Sequence, residues 1–197
     1  AIKSVPRAMD HYAPDGAYPE GPGYWAYGTT YNVLMIDALE SALGDDFGLT
    51  EAEGFTESSD YYLHASGPSG VRFGYSDCRP ERSGVQPAMF WFARRRDKPS
   101  LLWRQKPSLA RRVGQEPQGP GRESRLLPLV LIWGDKLDSI PRPEELHFRG
   151  RGHTSVGLHR SGWDSGATYV GLKAGSPGTN HAHMDIGSFI VEAQGVR

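Results

Sequence analysis

Three tyrosines near the start of the chain could take part in proton transfer. Tyr24, Tyr27 and Tyr31 follow one another at helical spacing, so on a helix they lie within about 60° of one another. A phenol can act as a general acid or base if its pKa is lowered, and an aromatic face can stack on a sugar ring. The same spacing is also typical of an aromatic core stripe whose hydroxyls are satisfied by neighbours, and both interpretations stay open at this point.

A second set of reactive side chains lies near the end of the chain. The run 180–185 reads Asn-His-Ala-His-Met-Asp, so His181, His183 and Asp185 occupy alternate positions. In an extended strand these three side chains share one face, where they could bind a metal or present a base. Two imidazoles alone do not make a zinc site, which needs three or four ligands. A polar strand edge with solvated histidines is the alternative.

Two further segments have weaker signals. Arginines and a lysine cluster in the middle of the chain, at Arg94, Arg95, Arg96, Arg104, Lys106, Arg111 and Arg112. Such a cluster could attract a polyanionic sugar, but it is more often a set of solvated helix ends and loops. The loop 73–78, which holds Tyr75 and an aspartate, is uninformative when taken alone.

The elements that must position these residues change type along the chain. A Pro-free, apolar stretch predicts a helix over 24–43 that ends at Gly44, a suitable residue after a helix C-terminus. Further helices are expected at 86–95 and, with less support, at 100–105. The Pro- and Gly-rich stretch 106–125 predicts a long loop, and 126–133 is expected to be a strand or a buried connector.

After residue 147 the pattern changes to that of strands. Short runs rich in Val, Ile, Tyr and Thr predict strands at 153–160, 167–174 and 186–194, with a hairpin loop at 161–166. Helices followed by strands favour an α+β arrangement or two domains over alternating βαβ units.

Composition limits the classes of function. The chain has 197 residues, of which 38% are hydrophobic, enough for a sizeable core. The formal net charge of −1 gives no bulk attraction for nucleic acid, and no run approaches the roughly 18 apolar residues of a membrane span. A single cysteine excludes an intramolecular disulfide. The chain starts without Met and stops after an apolar run, which predicts that both ends are cuts through a longer protein.

Two segments together resemble one enzyme family. The segment 15–28, Asp-Gly-Ala-Tyr-Pro-Glu-Gly-Pro-Gly-Tyr-Trp-Ala-Tyr-Gly, is similar to the loop and helix that carry the catalytic tyrosine of heparinase II/III-like polysaccharide lyases. The segment from 148 through the His-Ala-His run to 197 is similar to the start of that family's β domain. The resemblance implies that residues 1–135 are the last helices of an (α/α) toroid with a linker. It further implies that residues 136–197 are the first strands of an antiparallel β-sandwich.

The resemblance also implies roles for individual residues. Tyr24 matches the general acid, although nearby Tyr27 remains an alternative for that role, and His181 matches the histidine that faces the tyrosine across the cleft. His183 matches a ligand of a structural zinc whose other ligands would lie beyond residue 197. The asparagine or histidine that neutralises the substrate carboxylate would lie before residue 1. Residues expected to contact substrate are Glu20, Trp25, Tyr27, Tyr75 and Asn180.

These features predict a polysaccharide lyase that cleaves a uronic-acid polymer by β-elimination. We expect an anionic polysaccharide substrate, no organic cofactor, no nucleic acid partner and no membrane insertion. The family implies a periplasmic or secreted location. The alternatives are a non-catalytic glycan-binding relative and a glycoside hydrolase, which would use a pair of carboxylates across the scissile bond.

Overall fold

The computed structural model describes residues 2–113, 125–134, 139–179, 181 and 183–197. Helices come first within these ranges: α1 Val5–Met9, α2 Pro22–Leu43, α3 Ser58–His64, α4 Pro87–Arg95, α5 Gln105–Val113 and α6 Leu129–Trp133. The strands follow: β1 His147–Gly150, β2 Val156–Arg160, β3 Tyr169–Lys173 and β4 Phe189–Glu192. They form one antiparallel sheet in the order β1-β2-β3-β4. The α+β class is therefore confirmed, while the domain boundary near residue 135 stays a prediction.

The long helix α2 follows the predicted pattern. It begins at Pro22, whose fixed φ suits a first helical position, and it ends before Gly44, which is left-handed with φ of 74°. Gly21, just before the helix, has φ of +86°, and a Cβ there would lie 2.6 Å from the Cβ of Cys78. Only glycine allows the loop containing Cys78 to pack this closely against the start of α2.

Helix α4 is the centre of the core. Its seven residues from Pro87 to Ala93 are all buried. On α2 the Trp25 indole stacks on Tyr62 at 4.3 Å between ring centroids and lies 6.0 Å from Phe92. The Gln86 amide donates to the Ala26 carbonyl at 2.8 Å. The helices are thus joined by aromatic packing and by a satisfied buried amide.

One face of the sheet packs against the helices. The Phe148 ring of β1 lies 5.8 Å from Tyr61 and 6.2 Å from His64, both on α3. Burial lowers the pKa of His64 to about 3, so this imidazole is neutral at ordinary pH. On β2 and β3 every second residue is buried, which is the alternation expected of a sheet with one covered face.

The structure corrects three sequence predictions. Residues 126–133 are neither a strand nor a fully buried connector, because α6 forms there, with Val130 and Trp133 buried and Leu131 and Ile132 exposed. The predicted helix at 100–105 is a 3₁₀ turn over Pro99–Leu102 followed by α5. The predicted loop 106–125 is helical as far as Val113, and its residues 114–124 lie outside the described ranges. The predicted strands and the helices at 24–43 and 86–95 are confirmed with shifted ends.

The packing of Trp25 makes a stability prediction. Replacing Trp25 with Ala removes a fully buried indole, and we expect the free energy of unfolding to fall by about 3–5 kcal/mol. Leu43→Ala on the same helix is the control, because this side chain is 62% exposed and its loss should cost less than about 0.5 kcal/mol. Urea titrations of both variants would measure the difference. Equal losses in the two variants would contradict the assigned core.

Candidate functional site

Asp77 brings the two histidines of the His-Ala-His run together. One carboxylate oxygen lies 2.8 Å from His181 Nδ1 and the other lies 2.8 Å from His183 Nε2. These hydrogen bonds, first that of His183 and then that of His181, lower the pKa of Asp77 below its ordinary value. The carboxylate is therefore ionised at neutral pH and contacts both rings at once.

The charge of Asp77 decides which ring nitrogens carry protons. An ionised carboxylate can only accept hydrogen bonds, so His181 Nδ1 and His183 Nε2 must each carry a hydrogen and donate a hydrogen bond to it. In the neutral rings His181 then presents Nε2 as its unprotonated nitrogen, and His183 presents Nδ1. The first atom is free to exchange a proton with a substrate, and the second is free to bind a metal.

The loop that carries Asp77 is fixed to the start of α2. The backbone N–H of Gly23 donates to the Cys78 thiol sulfur at 3.2 Å, and Cys78 is buried. The Tyr75 hydroxyl donates to the Tyr18 carbonyl at 2.8 Å. Because Tyr24 directly follows Gly23, the same short loop positions both the tyrosine helix and the two histidines.

Glu20, in the loop before α2, adds a second carboxylate to this polar cluster. Ligand atoms of Glu20, Asp77 and His181 lie within 4.8 Å of one another. Next to this cluster is a groove of about 340 Å³, to which Glu20, His11 and His153 contribute. The His11 and His153 rings are 6.4 Å apart. Sequence spacing gave no reason to pair these two histidines, because the chain brings them together only through tertiary packing.

The three tyrosines of α2 are on its solvent-facing side. Tyr24 is 44% exposed and Tyr27 is 50% exposed. The Tyr27 and Tyr31 rings meet edge to face with centroids 5.2 Å apart, and the Tyr31 hydroxyl accepts a hydrogen bond from Arg125 at 3.0 Å. An aromatic core stripe is therefore excluded for these residues, and their rings can be reached from solvent.

Two residues expected to contact substrate are buried instead. Trp25 has no exposed surface and stacks inside the core, and Tyr75 is 3% exposed, with its hydroxyl bonded to that of Tyr61 at 2.6 Å. Neither ring has a free face for a sugar, so the structure corrects their assignment. Helical spacing places Trp25 about 100° around α2 from Tyr24 and about 160° from Tyr27. Asn180 lies outside the described residues.

The strand geometry expected for the His-Ala-His run is also wrong. His181 lies in a turn with a positive φ of 54°, ahead of β4. Asp185 does not share a face with the histidines. It pairs with Lys173, a β3 residue whose side chain is 2% exposed, and accepts a hydrogen bond from the Ser76 N–H at 3.3 Å. Asp185 therefore anchors the run to the sheet and to the Asp77 loop.

The arginines at the end of α4 are held by ion pairs. Arg95 donates to Glu40 at 2.6 Å, and Arg96 donates to Asp60 at 2.7 Å. Asp60 also accepts from Lys98 at 3.0 Å. These residues act as the charged end of a packed helix, which agrees with the structural interpretation of this part of the cluster.

Comparison with known proteins supports a heparinase-like fold. Two structures of the heparan sulfate lyase HepC from Pedobacter heparinus, one of them a mutant, match 98% of this chain with TM-scores of 0.68 and 0.67 and 19% identity. A heparinase III structure matches 96% with a TM-score of 0.51 and 16% identity. This chain spans about a quarter of each of those chains, 26% in every case. No protein-family profile and no curated protein sequence matches it.

The fold of this chain is therefore similar to that of heparan sulfate lyases. Its helices and its four-stranded sheet match about a quarter of the heparan sulfate lyase structures. At 19% identity this likeness is a likeness of fold. None of the described helices is long and apolar enough to cross a lipid bilayer.

The Lys173–Asp185 pair makes a prediction about stability and pH. Burial alone would raise the pKa of Asp185, but hydrogen bonds, first that from Lys173 and then that from Ser76, bring it below the ordinary 3.8. The pair therefore contributes stability above about pH 4, and this contribution is lost as the pH falls through the lowered pKa. Asp185→Asn should cost about 2–3 kcal/mol at pH 7, because it leaves the Lys173 ammonium buried without its partner.

Urea unfolding at pH 7 and at pH 3 would measure this effect. We expect the gap between wild type and Asp185→Asn to shrink at pH 3. The control is Glu144→Gln, which removes an exposed carboxylate and should change stability by less than about 0.5 kcal/mol at both values. A gap that is the same at pH 3 and pH 7 would contradict the ion pair.

Proposed function

We propose that this chain is part of a polysaccharide lyase that cleaves a uronic-acid polymer by β-elimination. The observation that carries the proposal is the meeting of Glu20, from the loop before Tyr24, with Asp77 and His181 within 4.8 Å. Three segments that are distant in the sequence thus form one polar site. The likeness of fold to heparan sulfate lyases supports the same class of reaction.

The reaction requires four contributions from a site. The C5 proton of a uronate is weakly acidic because the adjacent carboxylate is already negative. The site must neutralise that carboxylate, stabilise the developing dianion, remove the proton and protonate the leaving O4 oxygen. Each well-placed acid or base accelerates the reaction by roughly 10²–10⁴-fold.

The proton transfers are assigned to Tyr24 and His181. The Tyr24 phenol reaches solvent at the start of α2, where it can donate a proton to the leaving oxygen or remove the C5 proton. Asp77 holds the proton on Nδ1 of His181, which leaves Nε2 of the neutral ring available as a base. Tyr27, one turn further along α2, is the alternative tyrosine and otherwise contacts substrate.

Substrate contacts are proposed for the groove beside this site. Its volume of about 340 Å³ suits a sugar residue of the polymer, and Glu20 lies at its edge, where a carboxylate can accept hydrogen bonds from sugar hydroxyls. Asn180 is proposed as a further polar contact. An asparagine or histidine outside this sequence is proposed to neutralise the uronate carboxylate.

The larger architecture is proposed from the same resemblance. The helices would be the last of an (α/α) toroid in residues 1–135, and the sheet would begin an antiparallel β-sandwich in residues 136–197. The outer face of the sheet exposes Leu172, Phe189 and Val191, which is the kind of apolar face that the second sheet of a sandwich covers. A periplasmic or secreted location and an anionic polysaccharide substrate follow from the same proposal.

A glycoside hydrolase remains the second candidate because of one observation. Glu20 and Asp77 are two carboxylates with oxygens within 4.8 Å, and hydrolases use such pairs. However, Asp77 is already occupied by two imidazoles, which favours its role as a fixed acceptor over that of a nucleophile. A non-catalytic glycan-binding relative would keep the groove and leave the polymer intact.

The reaction product tests the proposal. The full-length enzyme acting on a uronate polymer should form an unsaturated uronate with new ultraviolet absorbance. In the same enzyme, Tyr24→Phe should lower the rate by at least about 10²-fold with substrate binding retained, since only the proton-transferring hydroxyl is removed. His181→Ala should be as severe and should also weaken binding.

Tyr27→Phe and Tyr31→Phe are the matched controls and should stay within a few-fold of wild type. Loss of activity in Tyr27→Phe with near-normal turnover in Tyr24→Phe would move the catalytic role one helical turn along α2. New reducing ends without ultraviolet absorbance would instead establish a hydrolase. An intact polymer would establish a binding protein.

A structural zinc bound by His183 is proposed for the full-length enzyme. His183 presents Nδ1, and imidazole and carboxylate are ligands that zinc accepts. Among the described residues, however, the three ligand atoms that converge are those of Glu20, Asp77 and His181, and His183 belongs to no such group. The described residues therefore do not supply a complete zinc site around His183.

We accordingly predict weak zinc binding by this chain alone. Its dissociation constant for zinc should be higher than about 1 μM. Structural zinc sites reach binding free energies of roughly 10–16 kcal/mol only with a full ligand set. Competition with a chelator would measure it, with His183→Ala and His181→Ala as paired variants. Tight stoichiometric binding that survives His183→Ala but not His181→Ala would move the metal to the Glu20 cluster.

A further inference from the structure

A second polar pocket lies at the far end of the sheet from Asp77. It has a volume of about 250 Å³ and is formed by the loop after α3, by α5 and by the loop that joins β2 to β3. We name it the Trp163 pocket; the lining residues that matter are Ser69, Arg82, Arg104, Arg111, Trp163 and Asp164. Arg160 and Tyr169, paired across β2 and β3, mark this end of the sheet, whereas Lys173 lies at the Asp185 end, about 13 Å along β3.

Two arginines lie against the same indole at this pocket. The Arg160 guanidinium is 3.7 Å from the centre of the Trp163 ring, and the Arg104 guanidinium is 5.7 Å from it. Arg160 is 3% exposed, and its Nη2 donates to the carbonyls of His64 and Ser66 at 3.1 Å each. These contacts use only part of the hydrogen-bonding capacity of the two side chains.

The remaining donors have no partner within the part of the chain that the structure describes. Arg160 Nε and Nη1, Arg104 Nε and the Tyr169 hydroxyl are all buried and make no hydrogen bond. A buried donor on a charged group that has no hydrogen-bond partner destabilises the folded protein. Among these residues only Arg104 lines the pocket, so its Nε is the unpaired donor that an acceptor bound there could satisfy.

The charges around the pocket favour an anion. Burial, and then the charge of Arg104, lowers the pKa of Arg160 to about 9, and burial lowers that of Arg104 to about 10, so both remain cationic at neutral pH. The buried acidic group that faces them, Glu192, is already held by Ser69 and lies 3.6 Å from Arg197. Arginines therefore outnumber carboxylates here.

We propose that the Trp163 pocket binds a sulfate-type oxyanion, either free or carried by a sugar. Arg82 and Arg111 stand at its rim, and Arg104 lines it with an unused N–H. A tetrahedral oxyanion offers several acceptor oxygens to such donors, and arginine forks bind these groups well. The pocket is separate from the Asp77 site, so the proposal does not depend on the proposed lyase reaction.

Neighbouring arginines on α5 provide a matched test. Arg111 lines the pocket and Arg112, the next residue, does not, so Arg111→Ala and Arg112→Ala change the net charge equally. Calorimetric titration of the full-length protein with sodium sulfate, at ionic strength matched with sodium chloride, should show saturable binding. Arg111→Ala should weaken it about tenfold, and Arg112→Ala should leave it within twofold of wild type.

A second variant addresses the buried arginine itself. Arg104→Lys keeps the positive charge but removes the unpaired Nε, and it should also weaken sulfate binding, with its melting temperature measured alongside. If that variant does not fold, Arg82→Ala at the rim takes its place with the same expectation. Two results would overturn the proposal. One is that sodium sulfate gives the same heats as sodium chloride, and the other is that Arg111→Ala and Arg112→Ala weaken sulfate binding equally.

The source of the oxyanion is decided by two more ligands. N-acetylglucosamine 6-sulfate that binds about tenfold tighter than inorganic sulfate would identify a sulfated sugar, and equal affinities would identify a free oxyanion. Glucuronate that binds as tightly as either would overturn the sulfate-type chemistry. None of these measurements involves turnover, so they stay separate from any failure of the lyase proposal.

Discussion

The candidate site depends on the single carboxylate of Asp77 accepting hydrogen bonds from two imidazoles. Both distances are 2.8 Å, and the charge of the carboxylate fixes the tautomers of His181 and His183. This arrangement requires the Asp77 loop to lie against α2. The loop reaches that position because Gly21 carries no side chain and because the Cys78 sulfur accepts the Gly23 N–H. A side chain larger than hydrogen at Gly21 would push the carboxylate away from both rings.

Polar contacts also join the helices to the sheet. Glu192 of β4 accepts from Ser69 in the loop after α3, and Arg160 of β2 donates to the backbone of that same region. Asp185, which pairs with Lys173 of β3, accepts from the Ser76 N–H. These hydrogen bonds between buried polar groups form only in one relative placement of the two parts, so they favour that placement. That placement is what brings the loop before Tyr24 to the His-Ala-His run.

Local sequence signals identified the long elements well. Helix α2 has no internal proline and has Gly44 after its last residue, and the strands show apolar and β-branched runs between glycine turns. Short elements were missed because their stability comes from burial. Helix α6 has five residues and a continuous apolar run, which periodicity alone cannot distinguish from a strand.

The site was less accessible to sequence reasoning than the fold. Tyr24, His181 and His183 came from motifs, and the structure exposes Tyr24 and joins the histidines through one carboxylate. Asp77 itself has no motif, and its partners lie more than a hundred positions away, so only tertiary contacts reveal it. The burial of Trp25 could be inferred in part from the sequence, because helical spacing places it on a different face of α2 from the three tyrosines.

The most direct measurement is the turnover of Asp77→Asn in the proposed full-length lyase. The amide can no longer act as a purely accepting partner for both rings, so we expect the rate of unsaturated product formation to fall roughly 10–100-fold. Substrate affinity and melting temperature should change little, and Glu144→Gln, an exposed carboxylate elsewhere, should keep wild-type turnover. Wild-type turnover in a folded Asp77→Asn variant would show that this carboxylate does not hold the two histidines in the arrangement that the reaction needs.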